Sequence, residues 1–412
     1  MSLDTLRSAP ARRLALLLGP AFVASIAYVD PGNVAANVTA GAQYGFLLVW
    51  VLLMANGMAM LIQYQSAKVG IVTGRSLPTL LGERLGARGR LAYWAQAEIV
   101  AAATDLAEVI GGAIALRLLF GLPLVVGGLI VGIVSMGMLV LQSRRTQRRF
   151  EMVIGALLLI IVIGFLSGLV VNPPSPGNVL GGFVPRLDGG QTVLLATSML
   201  GATVMPHVIY LHSALVVDRF GPSSEPGRVR RLLRATRWDV AIALAIAGAV
   251  NIALLLLAAQ NLRGKSGTDT IDGAQHVVRE TMGPAVATIF AVGLLASGLA
   301  STSVGCYAGS VIMDGLLRRR VPLLIRRVVT MIPALVVLGI GLDPTRALVL
   351  SQVALSFGIP FAVIPLRRIA SDRSLLGGFA DGPGLRWATA AAAAIIVVLN
   401  VVLIGLTVTG RG

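Results

Sequence analysis

Apolar runs of about 20 residues, separated by short polar gaps, follow one another along almost the whole chain, and each is long enough to cross a bilayer as a helix. Eleven such spans are read, at 14–38, 46–69, 93–116, 124–141, 150–171, 190–217, 238–260, 284–316, 321–341, 346–366 and 387–408, the eighth overlong for a perpendicular crossing. The pattern predicts an all-α membrane protein forming one transmembrane domain over residues 1–412, with no room for a soluble domain. Two spans break the pattern. The first is interrupted at Asp30-Pro31-Gly32-Asn33 and the sixth at Gly201-Ala202-Thr203-Val204-Met205-Pro206-His207. Each opens a group of five spans, 14–171 and 190–368, and 387–408 stands outside both as an extra helix. Five is odd, so the second group must enter the membrane from the opposite face. That is the inverted repeat of many secondary transporters, which hold their substrate at the midplane between paired broken helices.

Composition agrees with this picture. The chain is 56% hydrophobic and 13% charged, against about 25% charged in soluble domains, and its mean hydropathy is +0.85. A net charge of +16 would suit nucleic acid only if the basic residues shared a soluble face; here they sit in the gaps between spans. With the N-terminus inside, all 34 Lys and Arg fall in inside segments except Arg117, Arg186, Arg263, Lys265, Arg279, Arg346 and Arg411. Short cytoplasmic loops accumulate basic residues, so the N-terminus is expected in the cytoplasm and the C-terminus outside a bacterial inner membrane. Arg7, Arg12 and Arg13 precede the first apolar run as in a signal peptide, but no convincing Ala-x-Ala-type cleavage site follows, and the run is read as a retained span. The single cysteine, Cys306, rules out an internal disulfide and a cysteine-based zinc site, and is read as a packing residue.

The breaks carry the chemistry. Proline removes a backbone donor and glycine lowers resistance to unwinding, so carbonyls are freed where the membrane offers no water to satisfy them. A broken span that also bears Asp, Asn, Met and His points to a cation site. Asp30 supplies charge and hard oxygen, Asn33 a neutral oxygen, and freed carbonyls near Ala27 and Ala202 could add more. Met205 offers a soft thioether, which favours iron, manganese or later first-row metals over calcium and magnesium. His207, two residues on, is turned off the metal-facing side by helical geometry and is read as a proton carrier or gate. His212 and His276 are taken as less informative, the one near a helix end and the other in an outside loop. On the third span Glu98, Asp105 and Glu108 share one stripe, with Arg326 and Arg327 on the ninth as candidate partners. Charges at this depth face a cavity or a partner, and a row of carboxylates beside a cation site reads as a proton relay.

Asp30-Pro31-Gly32-Asn33 on the first span with Met205-Pro206-His207 on the sixth resembles the natural resistance-associated macrophage protein (Nramp) family of proton-coupled metal transporters. The resemblance covers the whole chain. It implies the LeuT-like fold, with import of Mn2+ or Fe2+, and acceptance of Cd2+ and Co2+, by proton co-transport and alternating access. It implies metal coordination by Asp30, Asn33, Met205 and the Ala202 carbonyl, with the Ala27 carbonyl joining in some states and Gln352 approaching in the occluded state. The implied proton route starts at Asp30 and runs through His207, Glu108, Asp105 and the Arg326-Arg327 pair, with Glu98 further along. No permanently bound cofactor is expected. The expected partners are divalent metal ions, protons and membrane lipids, not nucleic acid, and the chain is expected to act as a monomer. A LeuT-like carrier of an organic solute would want a small-residue pocket in place of Asp30 with Met205. A metal channel would need repeated carboxylate rings, and an embedded metalloenzyme a motif such as His-Glu-x-x-His, which is missing.

Overall fold

Helices occupy every one of the eleven predicted spans in the computed structural model, which describes residues 19–140, 147–265, 267–268, 270–318 and 322–409. Residues 14–18 of the expected first span, Arg7, Arg12, Arg13, Arg144, Arg145, Arg319, Arg320 and Arg411 lie outside the described residues. In order, the spans are Pro20–Ile26 continued by Ala27–Val29 and Pro31–Tyr44, then Val49–Thr73, Ala87–Phe120, Leu124–Val140 and Gln147–Val171. The second five are Gly189–Thr203 with Pro206–Phe220, then Pro226–Asn261, Pro284–Leu317, Leu323–Gly339 and Pro344–Ala370, and Pro383–Val408 follows as the eleventh. Among the described residues there is no strand.

Among the described residues, seven continuous helical stretches are long and apolar enough to cross a membrane, one of them joining the second half of the first span to the second span. The shorter apolar helices are Pro20–Val29, ahead of the break at Asp30, Leu124–Met138 and Gly155–Val171, and the ninth span, Leu323–Gly339, is 17 residues long.

The helices differ from expectation at their ends. The third begins at Ala87 and the seventh at Pro226, although the sequence suggested 93 and 238. Both extensions are rich in Arg, a good helix former, and once a helix is nucleated each added residue gains a hydrogen bond at little cost. The seventh span, at 36 residues, is therefore longer than the eighth, at 34. Four connecting segments also hold short helices that hydropathy could not mark, at Leu77–Arg84, Pro176–Gly181, Ile271–Met282 and Arg373–Leu376. Leu77–Arg84 is capped by Ser76, and Ile271–Met282 by Thr270, whose hydroxyl accepts from Gly273 N at 3.1 Å. Asp272 in the first turn and Arg279 in the last suit the dipole of the Ile271–Met282 helix.

The broken first and sixth spans lie at the centre. The eighth span packs along the third and fifth, the seventh along the second half of the first, and the tenth along the first half of the sixth. Loops are tied down by ion pairs: Lys68 with Asp381, Arg117 with Asp272, and Arg84 with Asp372 at 2.5 Å. The start of the first span is held from a distance. Gly19 N and Ala21 N donate to the two carboxylate oxygens of Asp239 on the seventh span, at 3.1 and 3.0 Å. Asp239 is buried, so it acts as an N-cap supplied by another helix, satisfying donors that the helix itself leaves open. Asp239→Ala should remove a cap worth about 1–2 kcal/mol. Amide exchange over residues 20–26 should then rise roughly tenfold, while that over 52–66 of the second span stays unchanged; equal exchange in both proteins would refute the cap.

Candidate functional site at the two broken helices

The first break is one residue wide. The helix tightens into a 3-10 turn over Ala27–Val29, Asp30 is extended at φ −68° and ψ 165°, and a new helix starts at Pro31. Pro31, Gly32 and Asn33, expected to be unwound, are instead that helix's first turn. Proline's fixed φ and missing N–H suit the first helical position, and Asp30 is a natural N-cap. Its Oδ1 accepts from Asn33 N at 2.8 Å and from Asn33 Nδ2 at 2.8 Å. The carbonyls released upstream find side chains. Tyr28 O accepts from Asn251 Nδ2 at 2.7 Å, and Val29 O from the Ser297 hydroxyl at 2.5 Å. Ala27 lies in the same turn and is buried.

In the sixth span the helix ends at Thr203, Val204 and Met205 leave helical geometry, and Pro206 restarts it. The last carbonyls of a helix have no intrahelical partner. Ala202 O takes one from across the gap, accepting from Asn33 Nδ2 at 2.9 Å. One side-chain amide thus joins the two breaks. The tenth span completes the cluster, with Gln352 Nε2 donating to Asp30 Oδ2 at 3.2 Å.

Two glycines make this approach possible. A Cβ on Gly32 would lie 1.7 Å from Gln352 Nε2, and one on Gly201 would lie 1.9 Å from the Gln352 carbonyl oxygen. Asp30, Asn33, Ala202, Met205 and Gln352 are each completely buried, so the cluster is closed from both sides. Met205 is the extended residue just ahead of Pro206, three beyond Ala202.

The amide groups are turned in a telling way. Asn33 and Gln352 both direct their NH2 groups at the Asp30 carboxylate, which leaves Asn33 Oδ1 and Gln352 Oε1 buried without a donor. Buried acceptors without partners each carry a desolvation cost of about 1–3 kcal/mol. The opposite orientation would set both oxygens against a carboxylate, so this one is favoured while no cation is present. A cation at Asp30 would reverse the preference, and a half-turn of each amide would supply two oxygens. Among the described residues no three His, Cys, Asp or Glu gather as a metal cluster. One carboxylate with neutral oxygens suits an ion that must also leave.

The third span runs past this cluster. His207 Nδ1 lies 3.3 Å from the Thr104 hydroxyl, while its Nε2 is buried without a partner. His207 faces the third span, in keeping with the turn expected from its position. Arg327 Nη1 lies 3.2 Å from Asp105 Oδ1, and Arg326 Nη2 lies 2.7 Å from Glu98 Oε1. Arg327 is further held by its Nε donating to the Ser135 hydroxyl at 3.1 Å, and Arg326 Nη1 donates to the Cys306 carbonyl at 3.3 Å. Both carboxylate oxygens of Glu108 are buried beside the Arg327–Asp105 pair.

One expectation is overturned and several residues were missed. His212 is not an end residue of little consequence: it is fully buried, and its Nδ1 lies 2.9 Å from Gln63 Oε1. Gln63 Nε2 in turn donates to the Tyr28 hydroxyl at 2.6 Å, so His212 is linked to the first break. Packing of the second half of the sixth span on the second span buries what sequence position alone made look terminal. Asn37, Asn251, Ser297, Gln63 and Thr104 were passed over, yet polar residues inside apolar spans are the signal that marks such positions. Asn37 Nδ2 donates to Asn251 Oδ1 at 3.0 Å, which orients the amide that holds Tyr28 O.

Two broken helices crossing at a buried carboxylate, inside a multi-span helical bundle, define a membrane protein of the LeuT-like fold. The chain matches the family described as natural resistance-associated macrophage protein-like over residues 21–406, and it belongs to that family. It is 60% identical over 395 residues to the divalent metal cation transporter MntH of Mycobacterium tuberculosis, covering 96% of this chain and 92% of that one. It is 46% identical over 391 residues to the MntH of Deinococcus radiodurans, covering 94% and 89%. Among solved structures, a manganese transporter of Eremococcus coleocola superposes with a TM-score of 0.84 at 30% identity, covering 93% of this chain and 85% of that chain. Mhp1, a nucleobase-cation-symport-1 family transporter, shares the fold alone, at 18% identity and a TM-score of 0.59 over 95% and 92% of the two chains.

The Arg327–Asp105 pair is fully enclosed, so Arg327→Ala should leave a bare buried carboxylate and lower stability by about 3–5 kcal/mol. Adding Asp105→Ala should recover part of that loss, measured by thermal unfolding in detergent. Additive losses in the double variant would show that the two side chains do not interact.

Proposed function

We propose that the chain is a secondary carrier that imports divalent transition metals, Mn2+ and Fe2+ foremost, with Cd2+ and Co2+ accepted, by alternating access and with protons entering alongside. The observation that carries this reading is the pair of buried, donorless oxygens, Asn33 Oδ1 and Gln352 Oε1, on either side of the Asp30 carboxylate. In this reading Asp30 supplies charge, and Asn33, Gln352 and the Ala202 carbonyl supply neutral oxygens. The Ala27 carbonyl takes part once the first break shifts, and Met205 supplies soft-ligand discrimination. The metal is substrate, with no resident cofactor, and the chain works as a carrier and not as an enzyme. The relatives named above as metal transporters support the same substrate class.

Proton movement is assigned to Asp30, His207, Glu108, Asp105, Arg326, Arg327 and Glu98. Glu108 suits a relay member because its carboxylate is buried within electrostatic reach of both Asp30 and Asp105. Spans 14–171 and 190–368 form the two inverted repeats, and 387–408 is the added helix. The protein sits as a monomer in the bacterial inner membrane with its N-terminus in the cytoplasm and its C-terminus outside, following the bias of Lys and Arg. Likeness to Mhp1 speaks for the fold only, and a single carboxylate at the breaks gives no support to a channel with charged rings.

Uptake of Mn2+ into proteoliposomes should saturate with concentration, and Asp30→Ala should reduce it to the level of protein-free vesicles. Wild-type uptake by that variant would sink the site assignment. Met205→Ala should keep Mn2+ uptake within about tenfold of wild type yet let Ca2+ or Mg2+ compete, a loss of discrimination and not of turnover. The readout is a competition series of Mn2+ against Fe2+, Zn2+, Cd2+, Mg2+ and Ca2+ at two values of pH. If Ca2+ and Mg2+ remain excluded, the selectivity role of Met205 is wrong.

A further inference from the structure

A cavity of about 550 Å3 opens between the second span, the seventh span and the segment leading into the eleventh. Its size is in the range of small-ligand sites. One wall is apolar, built from Met60, Leu61, Val240, Ala241 and Leu385. The other carries polar groups of uneven status. Lys68 and Asp381 are already paired with each other, and Gln65 Nε2 also donates to Asp381 Oδ2 at 2.8 Å. That pair is electrically closed. Arg237 and Tyr64 are not: both line the cavity, the guanidinium acts on the phenol beside it, and among the described residues neither has an ion-pair or hydrogen-bond partner. The cavity therefore presents one uncompensated positive charge and one hydroxyl donor beside a greasy wall.

Two tryptophans fix its depth. Trp238, next to Arg237, is 54% exposed, and Trp387, two residues past Leu385, is 76% exposed. Exposed tryptophans gather at the headgroup level of a bilayer, where an amphipathic ring has one apolar and one wet side. A guanidinium at that depth, with five donors in a planar fork, matches the oxygens of a phosphodiester. The apolar wall matches the glycerol and the first carbons of acyl chains.

We propose that this cavity is a binding site for the headgroup of an anionic phospholipid, with its phosphate on Arg237 and Tyr64 and its chains along the Met60–Leu61 and Val240–Ala241 wall. The lipid bridges the second and seventh spans and the segment before the eleventh. It does so two residues from Asp239, the cap of the first span's N-terminus. The site is independent of the metal centre and of the transport reading.

The test uses the purified full chain in an uncharged detergent, titrated with phosphatidylglycerol and followed by thermal unfolding. Phosphatidylglycerol should raise the unfolding temperature of the wild type in a saturable way. Its half-saturating concentration should rise at least fivefold in Arg237→Ala and Arg237→Glu, whose lipid-free unfolding temperatures should match the wild type because Arg237 has no internal partner. Arg234→Ala, which removes an equal charge from the same helix outside the cavity, should respond as the wild type does. The proposal is overturned if the Arg237 variants respond like the wild type, if Arg234→Ala loses as much as they do, or if the wild type shows no shift. It is equally overturned if phosphatidylcholine or inorganic phosphate reproduces the effect, since the site would then recognise no anionic lipid.

Discussion

A backbone amide or carbonyl released inside a bilayer has no water to turn to, and the centre of this protein is organised around that constraint. Breaking the first span at Asp30 and the sixth at Val204–Met205 releases such groups where they are most costly. Each one traced is met by a specific side chain. Asn251 and Ser297 hold Tyr28 O and Val29 O, Asn33 holds Ala202 O, and the Asp30 carboxylate takes the Asn33 N–H. The break in the first span is therefore braced from the seventh and eighth spans. Because Asn33 serves both Asp30 and Ala202, the two breaks share one amide, and movement of either half-helix must disturb the other.

The same constraint separates two kinds of buried charge. Asp105 and Glu98 are matched by Arg327 and Arg326 on the ninth span. Asp30 is matched only by neutral amides, while Glu108 lies buried beside Asp105 and Arg327. Fixed pairs suit positioning of helices, whereas a carboxylate held by rotatable amides can exchange those donors for a cation.

Much of the fold was legible in the residues themselves. Hydrocarbon demands long apolar helices, so eleven spans could be counted, and proline with glycine inside two of them marked the breaks. Asp30, Asn33, Met205 and the Arg326-Arg327 pair stood out because polar or basic residues in apolar surroundings need a reason. His212 was misjudged because its burial comes from packing against the second span, which no local pattern reports. Helix starts were misplaced at Ala87 and Pro226 because hydropathy marks where lipid ends and not where a helix does.

By itself, then, the sequence determined the solvent this chain folds in, the number and rough position of its spans, and which two of them break, since each follows from local composition against a bilayer of known thickness. Only the tertiary structure decided what meets at the breaks. That Asp30 is an N-cap and not part of an unwound tetrapeptide, that Gln352 closes on it through the space left by Gly32 and Gly201, and that both amides turn their oxygens away are consequences of contacts across 169 and 322 residues of chain. Such contacts depend on how helices far apart in sequence pack, and no local periodicity encodes them.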